Sequence, residues 1–166
     1  ILEACGIINK FKGLDVVYDF ILDNPWETEE ETIETLKLIA EIPHPYTLSL
    51  FSLAFFPNTD IHLKAIEDGI INEKEDTTLK HYNNVKNTYL NLMYYIIDIK
   101  WLPKRFKMFL LKGNVRNSKF KPIIMLLLKT VRIFRHRAYL LNYLMKYIAK
   151  LDYVRIRFSI KKYFYD

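Results

Sequence analysis

Two short apolar runs near the start of the chain have the length and the residue types of buried β-strands. The first is VVYDFIL, from Val16 to Leu22, and the second is TLSLFSLAFF, from Thr47 to Phe56. Both are rich in aliphatic and aromatic residues, as strands that are covered on both faces usually are. We therefore predict a strand over each run.

Side chains alternate between the two faces of a strand, and this alternation divides the first run. One face is wholly apolar and suits a covering helix. The other carries Asp19 and Asp23. Because carboxylates are seldom buried without partners, we expect that face to border water or a ligand. In the second run, Ser52 and Ala54 are small and lie near the C-terminal end, where α/β folds place ligand sites.

The segment between the two runs predicts a helix with a well-marked start. Thr28 suits the N-cap position and Glu31 suits its capping-box partner, while Glu29, Glu30 and Glu31 place negative charge in the first turn. A strand, a helix and a strand with connections this short predict a right-handed βαβ unit of a parallel sheet.

The rest of the chain carries mainly helical spacing, in which apolar residues recur every three or four positions. Apolar and basic residues alternate only near the C-terminus, which indicates either a strand or a helical or frayed tail. The predicted segments are a helix from Thr59 or Asp60 to Gly69, a polar linker over Ile70–Thr77, a helix over Thr78–Ile99, a helix from Pro103 to Gly113 with Phe106, Phe109 and Leu110 on one face, a loop over Asn114–Ser118, helices from Pro122 and over Ala138–Leu151, and the strand over Val154–Ile160.

Charge also divides the chain near the predicted linker. The 166 residues carry a formal net charge of +6. Residues 1–70 hold four basic and thirteen acidic side chains, whereas residues 71–166 hold twenty-one basic and six acidic ones. This asymmetry predicts two modules, residues 1–71 and 72–166. The single cysteine, Cys5, suits a reducing cytoplasm, and its apolar surroundings predict a buried thiol.

Motifs at the ends of the two predicted strands resemble those of one enzyme family. DFILDNPWETEEETIETLKLI, followed by LFSLAFFPNTDIHLKAIEDGII, is similar to the C-terminal part of a radical S-adenosylmethionine (SAM) barrel. The similarity is greatest to the cobalamin-binding subgroup and to the related oxygen-independent coproporphyrinogen oxidases and methylthiotransferases. The family's fifth-strand pattern, which ends in an lPgET turn, is matched by Asp19, Ile21, Pro25, Glu27 and Thr28.

The family's PGT motif after the sixth strand is matched in part by Pro57 and Thr59. Three positions depart from the family's pattern, because glycine is usual where this chain has Asp23, Trp26 and Asn58. The resemblance covers residues 1–71 and says nothing about the basic second half.

The resemblance implies an α/β fold, with the last strands of a partial (β/α) barrel followed by an all-α basic extension. It also implies that the intact parent uses a 4Fe–4S cluster to cleave SAM to a deoxyadenosyl radical, with cobalamin as a further cofactor of the subgroup. The family's CxxxCxxC cluster loop is absent, and Cys5 cannot replace three thiolates. We therefore expect a C-terminal fragment of a longer enzyme, or the product of a broken reading frame, that is inactive alone and whose partner is the missing N-terminal part of the barrel.

The resemblance assigns cofactor contacts to the ends of both strands, and each assignment has a structural alternative. Ile21 matches the position that packs against the adenine of SAM, or it is a plain core isoleucine. The sixth-strand region whose backbone lies along the adenine edge is matched by Ser52, Leu53 and Ala54. The alternative is that these three residues serve ordinary strand packing. The mouth of the barrel is matched by Asp23 and Asn24, whose side chains could bind a substrate or ribose hydroxyl or hold a turn. No catalytic or metal-ligating residue is predicted.

The basic half suggests a second, non-catalytic function: an α/β stub whose basic amphipathic helices bind a membrane surface or RNA. The alternative is a helical cap whose cations are solvated or cover the acidic surface of residues 1–70. Between the two partners we favour the membrane, because the apolar stripes are broad and bulky. The cations concerned are Lys104, Arg105, Lys107, Arg132, Arg135, His136, Arg137, Lys146, Lys150, Arg155, Arg157, Lys161 and Lys162.

Overall fold

The computed structural model of the protein describes residues 1–11, 13–72 and 84–149. Two parallel strands alternate with helices, and helices follow in the described part of the C-terminal half. The elements are α1 (Leu2–Ile8), β1 (Val17–Leu22), α2 (Glu29–Ile39), β2 (Thr47–Ser52), α3 (Asp60–Glu67), α4 (Tyr89–Ile97), α5 (Lys104–Leu110), α6 (Gly113–Arg116) and α7 (Lys121–Ala149).

The two strands form a parallel pair, as the sequence pattern predicts. Their register runs from Val17 opposite Thr47 to Leu22 opposite Ser52. Among the described residues the sheet has these two strands alone and does not close into a barrel. The connecting helix α2 starts as predicted, with Thr28 as N-cap and both bonds of the capping box to Glu31 present.

The two faces of the sheet differ strongly in exposure. Tyr18, Phe20 and Leu22 point towards the core, where the Phe20 ring lies 5.9 Å from the Tyr94 ring of α4. On the other face the side chains of Val17 and Ile21 are 56% and 60% exposed. The predicted division of β1 into two faces is therefore confirmed, and the second face is open to solvent.

Helix α4 lies at the centre of the main core. Eight of its nine residues are buried, among them the fully enclosed Leu92, Met93 and Ile97. The helix packs against α2, β1 and α7, and the hydroxyl of its first residue, Tyr89, donates to the Leu110 carbonyl of α5 at 2.9 Å. One continuous core thus joins residues from both sides of the predicted module boundary.

Two predicted segments end earlier or begin later than their patterns suggest. The second strand stops at Ser52 rather than Phe56, because the chain then turns and buries Phe55 against Ala65 and Ile71 in a smaller cluster. The helix predicted from Thr78 starts at Tyr89, since residues 84–88 are not helical and the Thr88 side chain caps the new helix.

Of the three residues predicted to share one face of α5, Leu110 is buried, whereas Phe106 and Phe109 are about half exposed. Two other predictions for residues 103–149 are wrong. Gly113 begins the short helix α6 instead of ending a helix, so the predicted loop at Asn114–Ser118 is partly helical. The last helix is continuous from Lys121 to Ala149, and Arg135 near its middle bonds the Tyr95 carbonyl of α4 and Asp98 at the end of that helix.

Several predictions lie outside the described residues. They include most of the predicted linker, the first part of the helix from Thr78 and the strand over Val154–Ile160. The cations Lys150, Arg155, Arg157, Lys161 and Lys162 also fall there, and the side chain of Lys146 is not described.

Candidate functional site

The chain leaves β1 through a residue with left-handed backbone geometry. Asp23 has a φ of +62°, and Asn58, after the second strand, has a φ of +65°. Aspartate and asparagine are the non-glycine residues that tolerate this region best. Both positions are those at which the radical SAM motifs carry glycine.

The turn at Asp23 moves its carboxylate away from the open face of the sheet. Ser52 Oγ donates to Asp23 Oδ2 at 2.8 Å, and the backbone N–H of Lys86 donates to the same oxygen at 3.0 Å. Asn91 Nδ2 donates to Oδ1 at 2.7 Å. The expected wet face is open to solvent at Asp19, which is exposed. At Asp23 the positive φ ends the strand alternation, so its half-buried carboxylate leaves that face and joins both strand ends to α4.

Asn91 and the Lys86 backbone belong to the site but were not predicted from the sequence. Asn91 is buried, and its Nδ2 also donates to the Lys86 carbonyl at 3.0 Å. The sequence offers one signal for Asn91: its side-chain amide is the only one in the helix YLNLMYYII, whose other residues are apolar or aromatic. A polar residue buried among apolar ones needs hydrogen-bond partners, and the side-chain partner of Asn91 lies 68 residues away at Asp23.

Ile21 and Ser52 lie on opposite faces of the sheet. Ile21 occupies the open face opposite Phe51, so it is not a core residue, and a flat apolar ligand could pack against it. Ser52 is buried on the core side, where its hydroxyl donates a hydrogen bond to the Asp23 carboxylate. The structure therefore does not bring these two candidate side chains together.

The remaining candidate residues follow the strands. Asn24 Oδ1 accepts a hydrogen bond from the Trp26 backbone N–H at 3.2 Å, which is the contact expected of a turn residue. The backbone N–H of Leu53 donates to the Leu22 carbonyl at 2.8 Å and extends the pairing by one residue. Leu53 packs against the smaller cluster, and Ala54 is buried.

Trp26 fills the space at the turn where the family has a glycine. Its Nε1 donates to Asp68 Oδ2 at 2.7 Å, and its ring meets Phe55 edge-on at 6.0 Å between centroids. The Lys64 amine lies 5.0 Å from the ring centroid. The large side chain thereby attaches the β1–α2 turn to α3.

Three of the cations considered for RNA or membrane binding are used inside the protein. Arg135 forms a two-point ion pair with Asp98, whose side chain is 4% exposed, and Arg132 donates to the Val85 carbonyl and to Asn87. Lys107 Nζ donates to the Ile97 carbonyl at 2.6 Å, and burial lowers the pKa of this amine.

Two further cations cover acidic residues of α2 and its end. Lys104 pairs with Glu41, and Arg116 pairs with Glu29. These pairs agree with the interpretation of the helices as a cap over the acidic part of the chain. Arg105 and Arg137 are exposed.

The cysteine cannot supply the ligands of an iron–sulfur cluster. Cys5, the only one in the chain, is buried as predicted, and its thiol lies beside the Tyr18 hydroxyl, which raises the pKa of Tyr18 to about 12. Within the described ranges, no group of three or more His, Cys, Asp or Glu side chains could hold a metal ion. By contrast, the exposed Ile21 is compatible with packing against an adenine.

Comparison with protein-family models, with curated proteins and with solved structures finds no match to this chain. The resemblance to radical SAM enzymes therefore rests on its own residues and their geometry. Over the residues that the structure describes, no helix is long and apolar enough to cross a membrane.

Proposed function

We propose that this chain is the C-terminal part of a radical SAM enzyme, in which it supplies adenine packing and the closing edge of the barrel. The observation that carries the proposal is the backbone at Asp23 and Asn58. Both residues stand where the family's motifs have glycine, and both adopt the left-handed conformation for which glycine is ordinarily selected. Such agreement at two separate turns supports a common backbone path.

The exposed face of the sheet supports the same proposal. Parallel strands are normally covered on both faces, yet Val17 and Ile21 expose apolar side chains on one of them. In a (β/α) barrel this face would point into the interior, towards the side chains of the other strands. The N-terminal part of the barrel is the partner that would cover it.

Ile21 is the residue whose side chain would contact the adenine of SAM. The backbone at Leu53 and Ala54 would lie along the adenine edge, and Asn24 would border the mouth of the barrel. Ser52 and Asp23 would position the strand ends, because their side chains bond each other. In the intact parent the 4Fe–4S cluster and SAM supply the radical chemistry, with cobalamin as the subgroup's additional cofactor, and the cluster ligands would come from outside this chain.

The first experiment is to sequence the coding DNA upstream of the Ile1 codon. An open frame that encodes CxxxCxxC followed by alternating strands and helices would support the proposal. A stop codon immediately upstream, together with a usable start, would leave a chain that cannot bind the cluster and would overturn it.

The second experiment measures SAM binding by the anaerobically reconstituted parent. Ile21→Ser should weaken SAM binding, since it removes apolar contact with the adenine. The matched control is Val17→Ser, four residues earlier on the same open face and similarly exposed. Equal effects of the two substitutions would show that Ile21 has no particular role in binding the adenine.

The second candidate function is a non-catalytic α/β stub that acts through its basic helices. The observation that favours it is the basic second half, in which residues 71–166 hold twenty-one basic and six acidic side chains. The upstream sequence distinguishes this candidate from the first, because only an enzyme fragment requires a cluster loop in the same reading frame.

A further inference from the structure

Helix α7 has two apolar sides, and one of them is exposed. The inner side packs against the core through Leu128 and Val131. The outer side carries large apolar residues at intervals of four and seven, which places them on one stripe of the helix. We call this stripe the outer face of α7; its residues are Ile123, Leu127, Phe134, Leu141 and Met145.

The outer face is long and strongly exposed. From Ile123 to Met145 it spans 22 residue-to-residue steps of helix, or about 33 Å at 1.5 Å per step. Phe134 is 75% exposed and Leu141 is 62% exposed. Leu126 and Ile133 are exposed beside the stripe and widen it. A contiguous apolar surface of this extent on a folded domain marks an interaction site.

One exposed cation lies at the edge of this surface and another lies within it. Lys129 lies three residues after Leu126 and four before Ile133, so it is their neighbour on the helix surface. Arg137 lies four residues from both Ile133 and Leu141. No aspartate or glutamate occurs from Ile99 to Leu151, so this part of the chain provides no carboxylate to balance these charges.

We infer that the outer face of α7 binds the surface of an anionic phospholipid bilayer, with its apolar stripe in the interface and its cations at the headgroups. An amphipathic helix that lies in the membrane plane combines these two features. The helix lies on the surface in this arrangement, while its inner side stays packed on α4. This inference does not depend on the radical SAM proposal.

Charge argues against a second copy of the chain as the occupant. A symmetric pair would bring Lys129 and Arg137 of both copies together, with no acidic residue on α7 to neutralise them. RNA would satisfy the cations but would leave the aliphatic stripe without a partner, because phosphates and sugars do not bury it. Anionic lipids offer headgroups that pair with the cations and an apolar interior that buries the stripe.

The test is flotation of the full chain with lipid vesicles, in which bound protein rises and aggregates stay at the bottom of the gradient. The chain should float with vesicles of phosphatidylcholine and phosphatidylserine, and much less with phosphatidylcholine alone or at raised salt. The double variant Phe134→Glu/Leu141→Glu should lower the partition coefficient by at least about tenfold. Arg137→Gln should lower it about fivefold.

The matched control is Leu63→Glu, which replaces a leucine on α3 that is 56% exposed and lies outside the basic half. It should float like the unmodified chain, and circular dichroism should show that all variants keep their helix content. The inference is overturned if the chain does not float with anionic vesicles, or if the double variant floats as well as the control. It is also overturned if the outer face mediates self-association that anionic lipid does not reverse.

Discussion

Asn91 of α4 donates its side-chain amide to the carboxylate of Asp23 at the end of β1, over 2.7 Å. Removing this donor leaves a partly buried carboxylate oxygen short of a partner, which costs about 1–3 kcal/mol. We expect Asn91→Ala to lower the free energy of unfolding by that amount, measured by urea denaturation.

The exposed Asn117 provides the control for this substitution. Asn117→Ala should change the free energy of unfolding by less than about 0.5 kcal/mol, as surface substitutions usually do. If both variants lose the same stability, then the Asp23–Asn91 bond does not hold α4 against the sheet.

The left-handed backbone of Asn58 predicts opposite outcomes for two small substitutions. Asn58→Gly should be close to neutral, because glycine adopts a φ of +65° without strain. Asn58→Ala should destabilise the protein by about 1 kcal/mol, since its Cβ is strained in this conformation. Thermal unfolding of the two variants side by side measures the difference, and an equal or higher stability of the alanine variant would contradict the assigned conformation.

The ion pair between Arg135 and Asp98 should contribute far more than an ordinary surface pair. Arg135→Met leaves the Asp98 carboxylate, 4% exposed, without its cation, and breaking such a pair costs about 3 kcal/mol or more. Arg137→Met, two residues along the same helix but exposed, should cost less than about 0.5 kcal/mol. Chemical denaturation of the two variants tests this contrast. Adding Asp98→Leu to Arg135→Met should recover part of the loss, because it removes the stranded charge.

Buried tyrosines should make the fold sensitive to alkaline pH. Burial raises the pKa of Tyr94 well above its ordinary value of 10.0, and it also raises the pKa of Tyr89 and Tyr95. A raised folded-state pKa means that the folded state holds the proton more tightly than the unfolded state. The tyrosines' contribution to the free energy of unfolding is therefore fully present below pH 10. It is lost as the pH rises through their folded-state pKa values.

Tyr94→Phe tests this pH dependence. Urea midpoints should change little with pH for either protein up to about pH 9, and above pH 10 the variant should lose less stability than the unmodified chain. Parallel pH curves for the two proteins would show that Tyr94 does not take part in the alkaline loss of stability.

Features set by nearby residues could be predicted from the sequence. The capping box of Thr28 and Glu31 acts across three residues, and the division of β1 into two faces follows from strict alternation. Helix α3 is also capped by Thr59 and ends before Gly69, as its local signals predict. Each of these depends on residues that are visible together in a short window.

Features set by distant partners could not be predicted in this way. Apolar spacing alone would continue α4 back to Thr78, but Thr88 caps the helix and Lys86 donates its N–H to Asp23. The sequence pattern predicts two helices where the structure has the single helix α7, and Arg135 near its middle bonds Asp98 across 37 residues. Periodicity reports which residues are apolar and does not report these long-range polar partners.

The central position of α4 has a consequence for how the chain folds. The contacts of this helix with β1 close a loop of 68 residues, and forming such non-local contacts is slow because chain entropy is lost first. We therefore expect the sheet and its covering helix to acquire protection from solvent together, in one cooperative step. The amide hydrogens of Leu92 and Met93 should be among the slowest in the described chain to exchange with deuterium, at the rate of global unfolding.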